Sequence, residues 1–279
     1  MEATAAMEGA CASDEHVLYE EREGMAWLTF NRPSAMNAMS QRTREVLPEL
    51  IERAEHSPDV RCVVLTGAGR AFCTGADVKR LGEAEDREAR ARDLSGKVEA
   101  LREYQRGTVL RLHHMAKPTI AAVNGYAIGA GLSFAMACDI RIAARSAKLC
   151  AGFGRIGVTG DTGLIWFLVH AIGRAATLEL LYTSDMISAD EGLRLGVVNK
   201  VFDDEDFAAQ AQELAARIAA GSLRTNAGMK ANVELALQAD LAASLHQEAL
   251  SINADLLSAD HREALAALLE KRKPNFAGL

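Results

Sequence analysis

The chain has no surplus of positive charge: 31 Lys and Arg stand against 38 Asp and Glu, a formal net charge of -7 over 279 residues. A general attraction to nucleic acid or to an anionic membrane is therefore excluded, and any polyanionic ligand must be held by a local basic cluster. Cysteine is sparse and unpatterned. Five residues (Cys11, Cys62, Cys73, Cys138, Cys150), an odd number without CxxC spacing, predict reduced and mostly buried thiols rather than a disulfide framework. The first 14 residues lack a basic region followed by an apolar run, so they are expected to be a loose tail and not a signal peptide. No run of about 18 apolar residues is present to span a bilayer, and the cytoplasm is the expected location. Walker, Rossmann and GxSxG motifs are also missing. His113 and His114 are adjacent, point in different directions on any regular element, and have no ligand spacing around them, so no metal is expected.

What is present is the composition of an ordinary globular protein, 49% hydrophobic and 25% charged, with enough chain for one large domain. Residues 17–30 alternate around Gly24 and predict a hairpin. Ser40 can cap a helix reaching about Glu55, and 61–66 and 119–123 are short apolar runs that predict buried strands. A Gly-rich turn after the second run opens a helix of small residues through Ala137, and 140–143 predicts another strand. Recurrent strand, turn and helix make the class α/β. Residues 83–106 carry dense alternating charge and predict a solvated helix or cover over the site. From Phe207 onward the pattern is helical. The expected organisation is a tail at 1–14, a core at 15–202 and a helical C-terminal subdomain at 203–279.

Two Gly-rich segments carry the chemistry. They are Ala71-Phe72-Cys73-Thr74-Gly75-Ala76-Asp77 and Asn124-Gly125-Tyr126-Ala127-Ile128-Gly129-Ala130-Gly131-Leu132-Ser133, followed by Cys138-Asp139. Together with Asn31-Arg32-Pro33, Met36-Asn37-Ala38, Ile187-Ser188-Ala189 and the ending Glu270-Lys271-Arg272-Lys273-Pro274-Asn275-Phe276, their order resembles the enoyl-CoA hydratase/isomerase, or crotonase, family from about Val17 to the C-terminus. The resemblance implies a spiral core of repeated ββα units, a helical C-terminal part that builds trimers or dimers of trimers, and an acyl-CoA substrate. Coenzyme A then enters as part of that substrate, with no tightly bound cofactor.

It further implies an oxyanion hole made by the N–H groups of Ala76 and Ala130, the latter aided by the dipole of the helix it begins. The family's hydratases place one glutamate two residues after the glycine triplet and another twenty residues on. Those positions here are Ser133 and Phe153. Ser133 either holds a water or substrate oxygen or is a small residue in a close-packed helix. The candidate to replace them as acid/base is Asp161, where the resemblance implies the single carboxylate of several isomerases of the family; apolar neighbours 164–167 would make it a stronger base than a solvated aspartate. Asp161 is alternatively a cap for a helix beginning at Thr162. The same segment resembles the aryl-CoA dehalogenase branch, but the histidine and tryptophan of that branch fall on Arg106 and Phe153.

For the substrate, the resemblance points to Met36, Ala38, Ala76, Asp77 and Val78 around the nucleotide and pantetheine, to Phe153 and Trp166 around the acyl group, and to Lys79, Arg80, Lys271 and Lys273 near phosphate. Each lysine is otherwise a solvated surface charge. The reaction expected is a double-bond shift in an enoyl-CoA, as in fatty acid metabolism; hydration by an unusual route, hydrolysis or dehalogenation, and CoA binding without turnover are the alternatives.

Overall fold

The computed structural model describes residues 15–77 and 93–276. A six-stranded sheet runs in the order β1 (Val17–Arg22), β2 (Met25–Phe30), β3 (Cys62–Gly67), β5 (Thr119–Val123), β7 (Ile140–Ala144), β10 (Lys200–Phe202). The hairpin predicted around Gly24 is present, with Val17 opposite Phe30 and Arg22 opposite Met25. Every other pairing in this sheet is parallel. Parallel strands are covered on both faces, which is why β3 and β5 carry apolar residues throughout. Ala26, Leu28, Val63, Leu65, Ala121 and Val123 face one core. Their neighbours Met25, Trp27, Cys62, Val64, Ile120 and Ala122 face another, under helix α7 (Phe207–Ala219).

A second sheet, which the sequence pattern did not predict, lies in the order β4 (Ala71–Cys73), β6 (Tyr126–Ile128), β8 (Lys148–Cys150), β9 (Ile187–Ser188). Its strands are two or three residues long, too short for alternation to register. The Gly-rich segment expected to be a turn is thus partly strand, and β6 pairs in parallel with β4.

Helix α1 (Gln41–His56) starts as predicted, with the Ser40 hydroxyl accepting from the Thr43 N–H at 3.0 Å. Helix α2 (Leu94–Gln105) passes through a π-helical segment (Arg106–Leu110) into α3 (Arg111–His114). It supplies the exposed cover expected within 83–106; the remainder of that stretch, 83–92, lies outside the described residues. Helix α4 (Ala130–Ala137) begins directly after Gly129. Its approach to β4 is set by Gly131, where a Cβ would lie 1.9 Å from the Cys73 carbonyl oxygen. Phe30 meets Phe72 edge-on at 5.5 Å and Phe134 at 5.9 Å between ring centroids, pinning β4 and α4 to the main sheet.

Helix α5 (Leu164–Thr183) starts two residues later than the Thr162 start allowed by the sequence. Among the described residues it alone has the length, 20 residues, and the mean hydropathy, 1.5, of a membrane span. It is broken at Gly173 (φ 75, ψ 171) and carries Arg174 and Glu179. After α6 (Ala189–Leu195), the chain closes with the predicted helical part: α7, α8 (Leu223–Ala236), α9 (Leu241–Leu256) and α10 (Ala259–Glu270). The four described cysteines are free and buried, as expected, and burial pushes the Cys62, Cys73 and Cys138 thiols up to about 12.

Candidate active site

A cleft of ≈ 1290 Å³ opens where the loops after β2, β4 and β6 meet the loop before α5. Three tight backbone turns build its wall. Met36 and Asn37 adopt left-handed conformations, and buried Asn37 fixes that turn by accepting from the Arg32 N–H (2.8 Å) and donating to the carbonyls of Ala68 (2.9 Å) and Ala71 (2.6 Å). The Met39 N–H then donates to Gly75 O at 2.8 Å, and Thr74 Oγ1 donates to Met36 O at 3.1 Å. This loop is thereby laid alongside Gly75-Ala76.

Gly75 lies at φ +77, where a Cβ would stand 2.8 Å from the Ile128 carbonyl oxygen and 3.2 Å from the Ala130 amide nitrogen. A side chain is excluded twice over, by conformation and by contact. The two expected oxyanion donors are consequently carried by turns in direct contact, one leaving β4 and the other ending β6. Among the described residues, neither the Ala76 nor the Ala130 N–H has a backbone acceptor outside regular elements, and Ala130 is the first residue of its helix, whose N–H has no acceptor within the helix. Ala130 is not among the residues with positive φ, so its methyl costs no backbone strain.

Opposite stands the segment 152–163. Phe153, buried, is its wedge: its ring lies 3.6 Å from a Cβ position on Gly129 and 3.1 Å from one on Gly160. It stands between the Gly129-Ala130 turn and the Gly160-Asp161 loop. Asp161 lines the cleft and is half-buried, with Oδ1 accepting from Thr162 Oγ1 at 3.3 Å. Its main chain is held from the far side by the Gln105 side-chain amide, which donates to Asp161 O. The capping alternative fails, because Gly163 is the residue before α5 and no side chain caps that helix. The apolar enclosure expected around Asp161 is also incomplete, since Ile165 and Trp166 are each 43% exposed.

Met36, Ala38, Ala76, Asp77, Ala130, Phe153 and Asp161 therefore share one cleft. Four expected residues do not. Ser133 is fully buried below it and donates its hydroxyl to Gly129 O at 3.2 Å, the close-packed small residue of the two alternatives. Trp166 lies in a second cleft of ≈ 900 Å³, stacked on His170 at 3.9 Å and edge-on to His113 at 5.1 Å, because the helix it sits on starts after the turn at Gly163. Lys271 and Lys273 are exposed beyond α10 and do not line the cleft of this chain. Val78, Lys79 and Arg80 lie outside the described residues. Asp77 is tied up as an ion pair, Arg32 Nη1 standing 3.3 Å from Asp77 Oδ2 while it also donates to Ala38 O at 2.6 Å. The sequence reading missed Arg32, Arg44 and Tyr104, which also line the cleft. Nothing in the local pattern marks Arg44 and Tyr104, which reach it through tertiary packing, whereas Arg32 stands inside the Asn31-Arg32-Pro33 motif.

Residues 20–278 match the sequence profile of the family described as enoyl-CoA hydratase/isomerase. A crotonyl-CoA hydratase of Syntrophomonas wolfei is 34% identical over 264 residues, 94% of this chain and 98% of the relative. A 1,2-epoxyphenylacetyl-CoA isomerase of Escherichia coli is 36% identical over 264 residues, 95% and 99% respectively. Among solved structures, an enoyl-CoA hydratase from Bacillus anthracis superposes with a TM-score of 0.85 at 29% identity, covering 94% of this chain and 99% of the other.

Proposed function

The chain belongs to the enoyl-CoA hydratase/isomerase family, and on that premise we propose that it shifts a C=C bond in an enoyl-CoA, with Asp161 as the single acid/base. The family acts on acyl-CoA thioesters. One observation carries the choice of reaction. Three carboxylates line the cleft; Asp77 is paired with Arg32, and exposed Glu45 stands 3.7 Å from Arg42, which leaves Asp161 as the one without a described cation partner. One base suffices for isomerisation, whereas hydration by the family's usual route needs two carboxyl groups across the double bond.

In the proposed cycle, Asp161 takes a proton from C2 of a 3-enoyl thioester. The electron pair moves through C1 onto the thioester oxygen, where the Ala76 and Ala130 N–H groups hold the negative charge. The same carboxyl returns the proton to C4, and the double bond ends between C2 and C3. Atoms balance without water or cofactor. Phe153 supplies an apolar wall between the two working groups and no proton.

Hydration is the second reading, favoured by the 34% identity to a crotonyl-CoA hydratase. It would have to proceed without Ser133, whose hydroxyl is buried and bound to Gly129 O. Incubation in D2O with a trans-3-enoyl-CoA and a trans-2-enoyl-CoA separates the two by mass spectrometry and NMR. A shifted double bond with deuterium incorporated, lost in Asp161→Asn, is the expected result; a product heavier by one water would replace isomerisation with hydration. The lysines beyond α10 and a homotrimeric assembly stay with this proposal: Lys271 and Lys273 would meet CoA phosphates only if brought to a cleft by another chain or by ligand binding.

A further inference from the structure

The π-helical segment Arg106–Leu110 interrupts the passage from α2 to α3 beside the cleft. Such segments shift the register of the turn they follow and are frequent at functional sites. Here they follow Tyr104 and Gln105. Thr108 Oγ1 donates to Tyr104 O at 2.6 Å, fixing the last turn before the shift. Gln105 reaches the Asp161 main chain, and Tyr104 lines the same cleft as Asp161. Two consecutive residues thus bracket the proposed base.

The Tyr104 hydroxyl is buried and has no hydrogen-bond partner among the described residues. A phenol can donate one bond and accept others, and a buried one is ordinarily satisfied. Arg44 packs against its ring, 5.7 Å from the centroid, so the ring is held rather than free to swing outward. Burial pushes the phenol up, and the charge of Asp161 pushes the same way against Arg44. Tyr104 accordingly remains protonated and can only donate toward an anion. The carboxylate that shares its cleft and whose charge acts on it is Asp161, which receives one described bond, the long one from Thr162.

We infer that Tyr104 is a positioning residue for the acid/base: its hydroxyl donates to the Asp161 carboxylate when a thioester fills the cleft, while Gln105 holds the same residue by its carbonyl. No proton is transferred in this contact. The inference rests on Asp161 being the base. Arg32, Arg44, Lys97 and Arg155 also face the cleft, with Glu45 and Asp77, and set the background field common to every variant compared.

The test uses Tyr104→Phe, which keeps the ring under Arg44. The expected result is a kcat lowered about 10-fold to 100-fold, unchanged affinity for hexanoyl-CoA, which has no double bond to move, and an acid limb of the kcat/KM profile displaced to higher pH. Adding Tyr104→Phe to Asp161→Asn is expected to change nothing further. Replacement of Tyr104 by 3-fluorotyrosine, a stronger donor of nearly the same shape, should displace the acid limb to lower pH, which covers the case in which the phenylalanine variant does not fold. The same displacement can be followed without turnover, by the carboxyl 13C resonance that Asp161→Asn removes. A wild-type profile in both replacements, an equal loss in the Asp161→Asn background, or weakened hexanoyl-CoA binding with an unmoved profile would overturn the inference. Full turnover in Asp161→Asn would instead sink the proposed function, whatever Tyr104 does.

Discussion

The two walls of the cleft are built on different principles. The wall carrying Ala76 and Ala130 is made of main chain, tied to short paired strands and to a helix with no clearance at Gly131. The facing wall carries Asp161 on a loop between the buried Phe153 and α5, and its working atoms belong to a side chain. In the proposed cycle, charge stabilisation would be written into the fold, whereas proton transfer would depend on which residue a loop presents. A scaffold of this kind can change its reaction by exchanging side chains on the second wall while the first keeps its ligand class. Relatives of similar identity named hydratase and isomerase fit that division.

The comparison breaks most sharply at Asp161. Asp161→Asn should lower kcat for a 3-enoyl-CoA by about a hundredfold to ten-thousandfold with affinity for a saturated acyl-CoA retained, measured by stopped assay and calorimetry. Gly75→Ala attacks the other wall. Its methyl would meet the Ile128 carbonyl and displace the Ala76 N–H, with an expected loss of about a hundredfold to a thousandfold in kcat, the effect of one oxyanion donor. Equal affinity loss in both variants would erase the distinction between the walls.

Ser133→Ala sharpens it from below. If the hydroxyl only returns a bond to Gly129 O within its helix, turnover is unchanged and stability shifts by less than about 1 kcal/mol, read by denaturant unfolding. A large kcat loss would restore Ser133 as a working group. The smallest expected effect lies away from both walls, at His113. Burial holds its pKa below the ordinary value, with Glu234 opposing. The unfolded chain then binds the proton more readily, so stability is lost as pH falls through the ordinary histidine value of about 6.5 and onward to the lower folded value. Tm should decline from pH 7 toward 5, and less so in His113→Gln.

The same division governs what the sequence made legible. The hairpin, α1 with its Ser40 cap, β3, β5 and α4 declare themselves through alternation, apolar runs and capping, all local properties. The turns carrying Ala76 and Ala130 are legible because glycine is forced at Gly75 and Gly131 by contacts of main chain with main chain, and such requirements leave fixed residue types at fixed spacing. The second sheet is too short to show a period. Trp166 lines the second cleft and not the first, on a helix that starts two residues later than the sequence allows for. Tyr104 and Arg44 enter the cleft from α2 and α1, and no spacing along the chain announces that meeting.

The main-chain wall has a genetic consequence. A missense change can remove any catalytic side chain, but an N–H survives every substitution except one to proline. The positions concerned here are occupied by alanine, whose codons lie one base from those of proline. Ala130 is also the first residue of α4, the position where a helix tolerates proline best. In the proposed cycle, a single-base change there would delete the donor at the one position of α4 where the helix itself tolerates a proline ring.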